Sequence, residues 1–128
     1  MSSSSTKETA SITVKITNIE STDGVIEIGL YNNVKKFSKV GETHRMIRIK
    51  PKGKVITYKF KYLTSGNYAF CIFHDQNDDG KCNKNLLGIP TEPYAFSNNF
   101  RPWFSKPKFS DCSFSVKDAK EISIKMVN

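Results

Sequence analysis

The sequence contains no long apolar segment. No run approaches the roughly 18 apolar residues that a membrane-spanning helix requires, and the start of the chain, MSSSSTKETAS, lacks the apolar stretch of a secretory signal. We therefore expect no membrane span. Residues 1–10 are interpreted as a flexible leader, which either replaces a removed export signal or lipoprotein tether or is the native start of a cytoplasmic protein.

Cysteine and sustained helical periodicity are also scarce. The three cysteines, Cys71, Cys82 and Cys112, leave at least one thiol unpaired, and their spacing matches no zinc-binding pattern. Cys71 lies in the apolar segment YAFCIF and is most simply a small buried hydrophobic residue. A disulfide between Cys82 and Cys112 stays open as an alternative. No apolar repeat of helical spacing persists for three turns, which argues against a helical fold.

Acidic residues are few: the chain has 12 Asp and Glu but 20 Lys and Arg, so its formal net charge is +8. Half of the basic residues fall between positions 35 and 61. Either they form a surface for an anionic partner, such as nucleic acid, an acidic glycan or an anionic membrane, or they are the solvated faces of ordinary strands. We do not expect nucleic acid as the partner. The basic residues between positions 35 and 61 are Lys35, Lys36, Lys39, Arg45, Arg48, Lys50, Lys52, Lys54, Lys59 and Lys61.

Alternation of apolar and polar residues is the dominant pattern that is present. It recurs along the chain with turn signals between the runs, and the segment NYAFCIFHD is apolar on both parities, as in a central strand covered on both faces. A chain of 128 residues is long enough to bury one core. We predict a single all-β domain over residues 11–128, an antiparallel two-sheet sandwich of about seven strands. The alternating runs are Ile12–Ile16, Ile26–Leu30, Ile56–Tyr62, Phe114–Val116 and Ile122–Met126.

Residues 75–110 are called the long loop below. They show no convincing strand after Asp75, and they begin with a set of candidate cation ligands. In Asp75-x-Asn77-x-Asp79-Gly80, oxygen side chains recur at every second residue and glycine turns the chain back, as in calcium-binding loops. Position twelve is Leu86 rather than glutamate and a strand precedes the loop, so an EF-hand is excluded. We predict that Asp75, Asn77 and Asp79 bind calcium, with the Lys81 carbonyl as a further ligand. Asn83, Asn85 or Glu92 would complete the shell. The alternative is an Asx-rich turn without an ion.

Aromatic side chains are concentrated later in the same loop, in EPYAFSNNFRPWF. Tyr94, Phe96 and Trp103 are predicted ligand-binding residues if this segment is a recognition surface for sugars or peptides. The alternative is a lid that plugs one end of the sandwich and holds the loop.

No catalytic residues are predicted. His74, Asp75 and Glu92 resemble an acid/base set, but no activated nucleophile or metal-bound water accompanies them. His74 is interpreted as a strand-end residue bonded to loop backbone, and His44 as a surface residue. We therefore expect a protein that is not an enzyme.

The segment HDQNDDGKCNKNLLGIPTEPYAFSNN, residues 74–99, resembles a family of small bacterial proteins known as domain of unknown function 2141. The resemblance continues through Pro107, Phe109 and Asp111 and covers nearly the whole chain after the leader. It implies an exported protein with an immunoglobulin-like or prealbumin-like sandwich, and it does not point to an enzymatic activity. The chain departs from the family pattern at Cys82, Asn83 and Cys112. The matching residues are His74, Asp75, Asn77, Gly80, Lys81, Gly88, Pro90, Glu92, Pro93, Tyr94, Phe96, Ser97, Asn98 and Asn99.

Together these observations predict a non-catalytic, exported binding or structural module with an unidentified protein or glycan partner, most simply a monomer. Asn83 stands where the family usually has a carboxylate, so we expect weak calcium affinity. The alternative function is an anion-binding basic β-domain that recognises nucleic acid or acidic glycan.

Overall fold

The computed structural model describes residues 8–39, 41–78, 92–102 and 106–128. These residues form eight strands in two sheets and almost no helix, which confirms the predicted all-β sandwich. No helix in the described ranges is long and apolar enough to span a membrane. The elements are β1 (Ala10–Thr17), β2 (Val25–Tyr31), β3 (Arg45–Ile49), β4 (Ile56–Leu63), β5 (Gly66–Asp75), β6 (Tyr94–Phe96), a 3₁₀ turn (Ser97–Asn99), α1 (Phe109–Cys112), β7 (Phe114–Val116) and β8 (Ala119–Lys125).

The first sheet has three strands in the order β4-β1-β8. The inward side chains of β1, Ile12, Val14 and Ile16, are fully buried, as their alternation predicts. β1 pairs antiparallel with β4 but parallel with β8. The prediction of antiparallel pairing throughout is corrected at this one pair, because alternation indicates which face of a strand is buried and not the direction of its partner.

The second sheet has the order β3-β2-β5-β6, and β7 pairs with the first residues of β5. β5 is buried along most of both faces, as predicted for a central strand. β6 lies within the stretch that was predicted to contain no strand, and it pairs with Cys71–Phe73 of β5. The described part of the long loop therefore extends the sheet at its edge, and β1 begins at Ala10, one residue inside the predicted leader.

Two apolar clusters hold the fold together. The main cluster lies between the sheets, and the second covers the outer face of the five-stranded sheet. In the second cluster, the Phe37 ring packs edge-on against Tyr31 at 5.4 Å and against Phe109 at 5.8 Å between ring centroids. The connection after β2 and helix α1 are thus fixed to the outer face, since edge-to-face aromatic pairs add to the free energy of burial.

Candidate functional site at the end of β5

The last two residues of β5 point to opposite faces of the sheet, because side chains alternate along a strand. His74 pairs with Ile26 on the core side, and its Nε2 lies 2.6 Å from the carbonyl oxygen of Asp23. Its backbone N–H donates to the Pro93 carbonyl at 2.8 Å. His74 is fully buried, so the interpretation as a strand-end residue bonded to loop backbone is confirmed. His44 is exposed, as expected.

Asp75 faces the outer side and is also fully buried. Its Oδ2 accepts a hydrogen bond from Nη2 of Arg48 at 2.7 Å. The same guanidinium donates to Oε1 of Glu27 at 2.6 Å and to Oδ1 of Asp78 at 3.1 Å. These four residues are called the Arg48 cluster below. The pKa of Arg48 is raised above its ordinary value, first by the hydrogen bond to Asp75 and then by Glu27 and Asp78.

The register of the sheet explains this arrangement. Arg48 of β3 pairs with Glu27 of β2, and β2 in turn lies between β3 and β5. The arginine side chain therefore reaches across β2 to the carboxylate of Asp75. A buried carboxylate requires such a partner, because an unpaired charge in the interior carries a large desolvation penalty.

The turn after β5 packs tightly against the turn between β1 and β2. The N–H of Asp78 donates to the Asp75 carbonyl at 3.2 Å, and Asp78 has a φ of 52°. Nε2 of Gln76 donates to Oε2 of Glu20 at 3.0 Å. Gly24, with a φ of 62°, lies so close that an added Cβ would stand 1.9 Å from the Asp75 carbonyl oxygen. The first residues of the long loop are thus held by backbone contacts as well as by charge.

The predicted calcium ligands are only partly covered by the described residues. Asp75 is buried in the Arg48 cluster, Asn77 is exposed and Glu92 is half-buried. The remaining predicted ligands, Asp79, Lys81, Asn83 and Asn85, lie outside the described residues. Within the described ranges, no group of three or more His, Cys, Asp or Glu side chains is placed to hold a metal ion.

The predicted aromatic ligand-binding residues belong to the second apolar cluster. Tyr94 is 9% exposed and Phe96 is 6% exposed, and their rings contact each other at 5.6 Å between centroids. Phe96 also packs against Phe37. Both rings are therefore covered rather than presented to a ligand, which favours the lid interpretation over the recognition surface. Trp103 lies outside the described residues.

The residues after β6 connect three parts of the fold. Oγ of the buried Ser97 accepts a hydrogen bond from the Phe70 N–H at 2.9 Å and donates to the Cys112 carbonyl at 2.5 Å. Asn98 donates to the Ser113 carbonyl, and Oδ1 of Asn99 accepts from the Lys125 N–H. Asn98 and Asn99 have positive φ values, which asparagine tolerates better than most residues do. This Ser-Asn-Asn segment therefore has a structural role.

Cys112 is a buried free thiol, and Cys82, its partner in the alternative disulfide, lies outside the described residues. Burial, and then the charge of Asp111, raise the pKa of the Cys112 thiol to about 12. A thiol with so high a pKa is unreactive at neutral pH.

Three of the basic residues between positions 35 and 61 are engaged within the chain. Arg45 donates to the carbonyls of Lys61 and Tyr62, and Lys50 donates to the carbonyl of Thr22. Arg48 is held by carboxylates. Sequence reasoning counted Arg48 only as a surface cation and did not single out Glu27, because their link to Asp75 depends on strand register. The sequence signal that could have indicated a cationic partner is the position of Asp75 at the end of an apolar strand, where burial of a carboxylate is to be expected.

The fold is a two-sheet β-sandwich, and comparison with protein families identifies the family of the chain. A family model described as an uncharacterised protein conserved in bacteria, DUF2141, matches residues 14–125. The chain belongs to this family, which confirms the resemblance seen in the sequence. Neither a curated protein nor a solved structure matches the chain.

Proposed function

We propose that this protein is a non-catalytic, exported binding or structural module whose Asp/Asn-rich loop binds calcium weakly. The observation that carries the calcium assignment is the Asp75-x-Asn77-x-Asp79-Gly80 spacing of this loop. At its root, Glu27, Asp75 and Asp78 converge on the guanidinium of Arg48. Three carboxylates and one guanidinium give the cluster a net formal charge of −2, within a chain whose net charge is +8. A divalent cation would be attracted to such a concentration of negative charge.

The fit of calcium to the chain depends on both the described cluster and the residues beyond it. Asp75 Oδ2 and Asp78 Oδ1 already accept hydrogen bonds from Arg48, so bound calcium would have to share these two oxygens with the guanidinium. Further oxygens would come from Asn77, Asp79 and the Lys81 carbonyl, with Asn83, Asn85 or Glu92 in support. Because Arg48 offsets part of the charge, we expect a dissociation constant on the order of 10⁻⁴ M or poorer.

The chain's own residues prepare this loop. Arg48 fixes Asp75, and Gln76 joins the turn to Glu20. Bound calcium would neutralise the remaining carboxylate charge and cross-link the loop. With its first residues already ordered, the loop would lose less conformational entropy on binding.

Support for a non-catalytic role comes from the geometry of β5. A general acid/base pair needs its groups to converge on one reacting atom. His74 points to the core side and contacts the Asp23 carbonyl, while Asp75 points to the outer side and contacts Arg48. Two members of the set that resembled a catalytic site therefore diverge.

Thermal unfolding with calcium and then with excess chelator tests the calcium assignment. A ligand at roughly a hundred times its dissociation constant adds about 2.7 kcal/mol to the free energy of unfolding, which raises the melting midpoint by several degrees. We expect this shift for the wild type and its loss in Asp79→Asn. Asp118→Asn, the same charge change in the exposed turn before β8, should keep the shift. Identical midpoints in both buffers for the wild type would leave only the ion-free Asx turn.

Export is tested separately by fractionating cells that express the native gene. We expect the protein outside the cytoplasm, as the family resemblance implies. Recovery in the cytoplasmic fraction would contradict export and leave the calcium assignment unaffected.

A further inference from the structure

We propose that a groove beside α1 binds an extended acidic peptide segment of a partner protein. The groove lies between residues 34–39, after β2, and residues 106–113, which include α1, and its volume is about 850 Å³. This volume lies in the upper part of the range of about 300–1,000 Å³ for ligand-binding clefts. We call it the lysine groove, and it lies outside the Arg48 cluster, so the proposal goes beyond calcium binding.

The charge of the lysine groove is of one sign. Lys35, Lys39, Lys106 and Lys108 line it and are exposed, and no acidic residue is among the lining residues that the structure describes. Within the described ranges, none of these four ammonium groups has an ion-pair or hydrogen-bond partner. The nearby carboxylate of Asp111 accepts a hydrogen bond from the backbone N–H of Lys108 at 2.9 Å, at the start of α1. A concave surface lined by one sign of charge attracts ligands of the opposite sign.

The groove also has an apolar component. Phe37 and Phe109 form part of its lining, and both are largely buried and packed against each other at 5.8 Å. Pro107 is half-buried, and the side chain of Val34 is 72% exposed at the margin. The rings are fixed by the second apolar cluster, so this apolar surface is rigid and preformed. It favours an occupant with apolar groups between its charges.

These two properties favour a peptide over other anions. Carboxylate side chains would face the lysines, alternate apolar side chains would contact Val34 and Pro107, and the polar side chains of Asn67 and Ser110 would meet the peptide backbone. Single-stranded nucleic acid binds through exposed aromatic rings on which bases stack. Phe37 and Phe109 are too buried for that, at 6% and 8% exposure. A second copy of this chain is disfavoured, because each copy carries a net charge of +8.

Fluorescence anisotropy of the full chain with a labelled peptide that alternates glutamate and leucine tests this proposal. The double variant Lys106→Glu/Lys108→Glu should weaken binding by about tenfold or more, as expected when attraction becomes repulsion. The matched control is Lys59→Glu/Lys61→Glu, which makes the same charge change on exposed positions of β4. We expect the control to change the affinity by less than about twofold. Melting midpoints near the wild-type value show that both variants fold.

Two further measurements separate the apolar and electrostatic contributions. Val34→Asn should weaken binding of the alternating peptide and leave binding of a labelled polyglutamate unchanged. A labelled oligothymidine should bind more weakly than the peptide at the same salt concentration. Equal losses in the two lysine double variants, an unaffected Val34→Asn variant, or tighter binding of the oligothymidine would each overturn the proposal.

Discussion

Arg48 and Asp75 form an ion pair across the central strand β2, with Nη2 of the arginine 2.7 Å from Oδ2 of the aspartate. The side chain of Asp75 is fully buried and that of Arg48 is 28% exposed. The pair therefore connects the edge strand β3 to the middle of the sheet. It also fixes the residue at which the long loop begins.

Replacing Arg48 by glutamine should destabilise the protein strongly. The substitution leaves a buried carboxylate without its guanidinium and three carboxylates close together, and we expect a loss of about 3 kcal/mol, the lower end of the range for broken buried ion pairs because Arg48 is partly exposed. Urea unfolding monitored by circular dichroism measures the change. Arg45→Gln, on the same strand, is the control and should cost only about 1 kcal/mol because Arg45 bonds to carbonyls. Equal losses would show that the ion pair adds nothing specific.

Gly24→Ala should be more damaging than a substitution at another glycine with positive φ. Gly24 and Gly41 have φ values of 62° and 81°, but an added Cβ meets backbone only at Gly24, where the Asp75 carbonyl oxygen is 1.9 Å away. We expect Gly41→Ala to cost about 1 kcal/mol for its backbone conformation alone. Gly24→Ala must in addition separate the two turns, so its loss of unfolding free energy should be clearly larger. Similar values from parallel urea titrations would argue against the close approach of these turns.

Ser97→Ala should expose the structural role of the Ser-Asn-Asn segment. The Oγ of Ser97 satisfies the Phe70 N–H and donates to the Cys112 carbonyl, and both bonds are buried. Each buried backbone group left without a partner costs about 1–3 kcal/mol, so we expect a total of about 2–6 kcal/mol for the two groups. Hydrogen exchange at the Phe70 amide should also become faster. Ser110→Ala, at an exposed position of α1, should change neither measurement.

Stability should fall at alkaline pH partly through Cys112. The pKa of this thiol is raised from 9.0 to about 12 in the folded protein, so its contribution is fully present below pH 9 and is lost as the pH rises towards 12. Each pH unit in this window costs at most about 1.4 kcal/mol. Urea unfolding at several pH values should therefore give a shallower alkaline decline for Cys112→Ala than for the wild type. Parallel curves would assign the decline to other groups.

The strands with clear alternation were predictable, and the two strands without it were not. The period-two spacing around Val14 and Ile28 predicts the buried faces of β1 and β2. By contrast, β3 has only five residues, two of them arginines, and β6 has only three residues after a proline, so neither shows a clear alternation. β6 forms because β5 offers an unpaired edge, which is a tertiary effect. For the same reason the pairing of Arg48 with Asp75 was not predictable, since it requires the order β3-β2-β5. The position of His74 was predicted correctly because the end of an apolar strand is visible in the sequence.

The parallel pairing of β1 with β8 has a consequence for synthesis on the ribosome. Roughly a hundred residues separate Ser11 from its partner Ala119, so the contact order is high and slow folding is expected. At about 5–20 residues per second, β1 waits on the order of 5–20 s for β8 to be made. During this interval, its edge remains available to other chains. Charged outward residues such as Lys15 oppose such association.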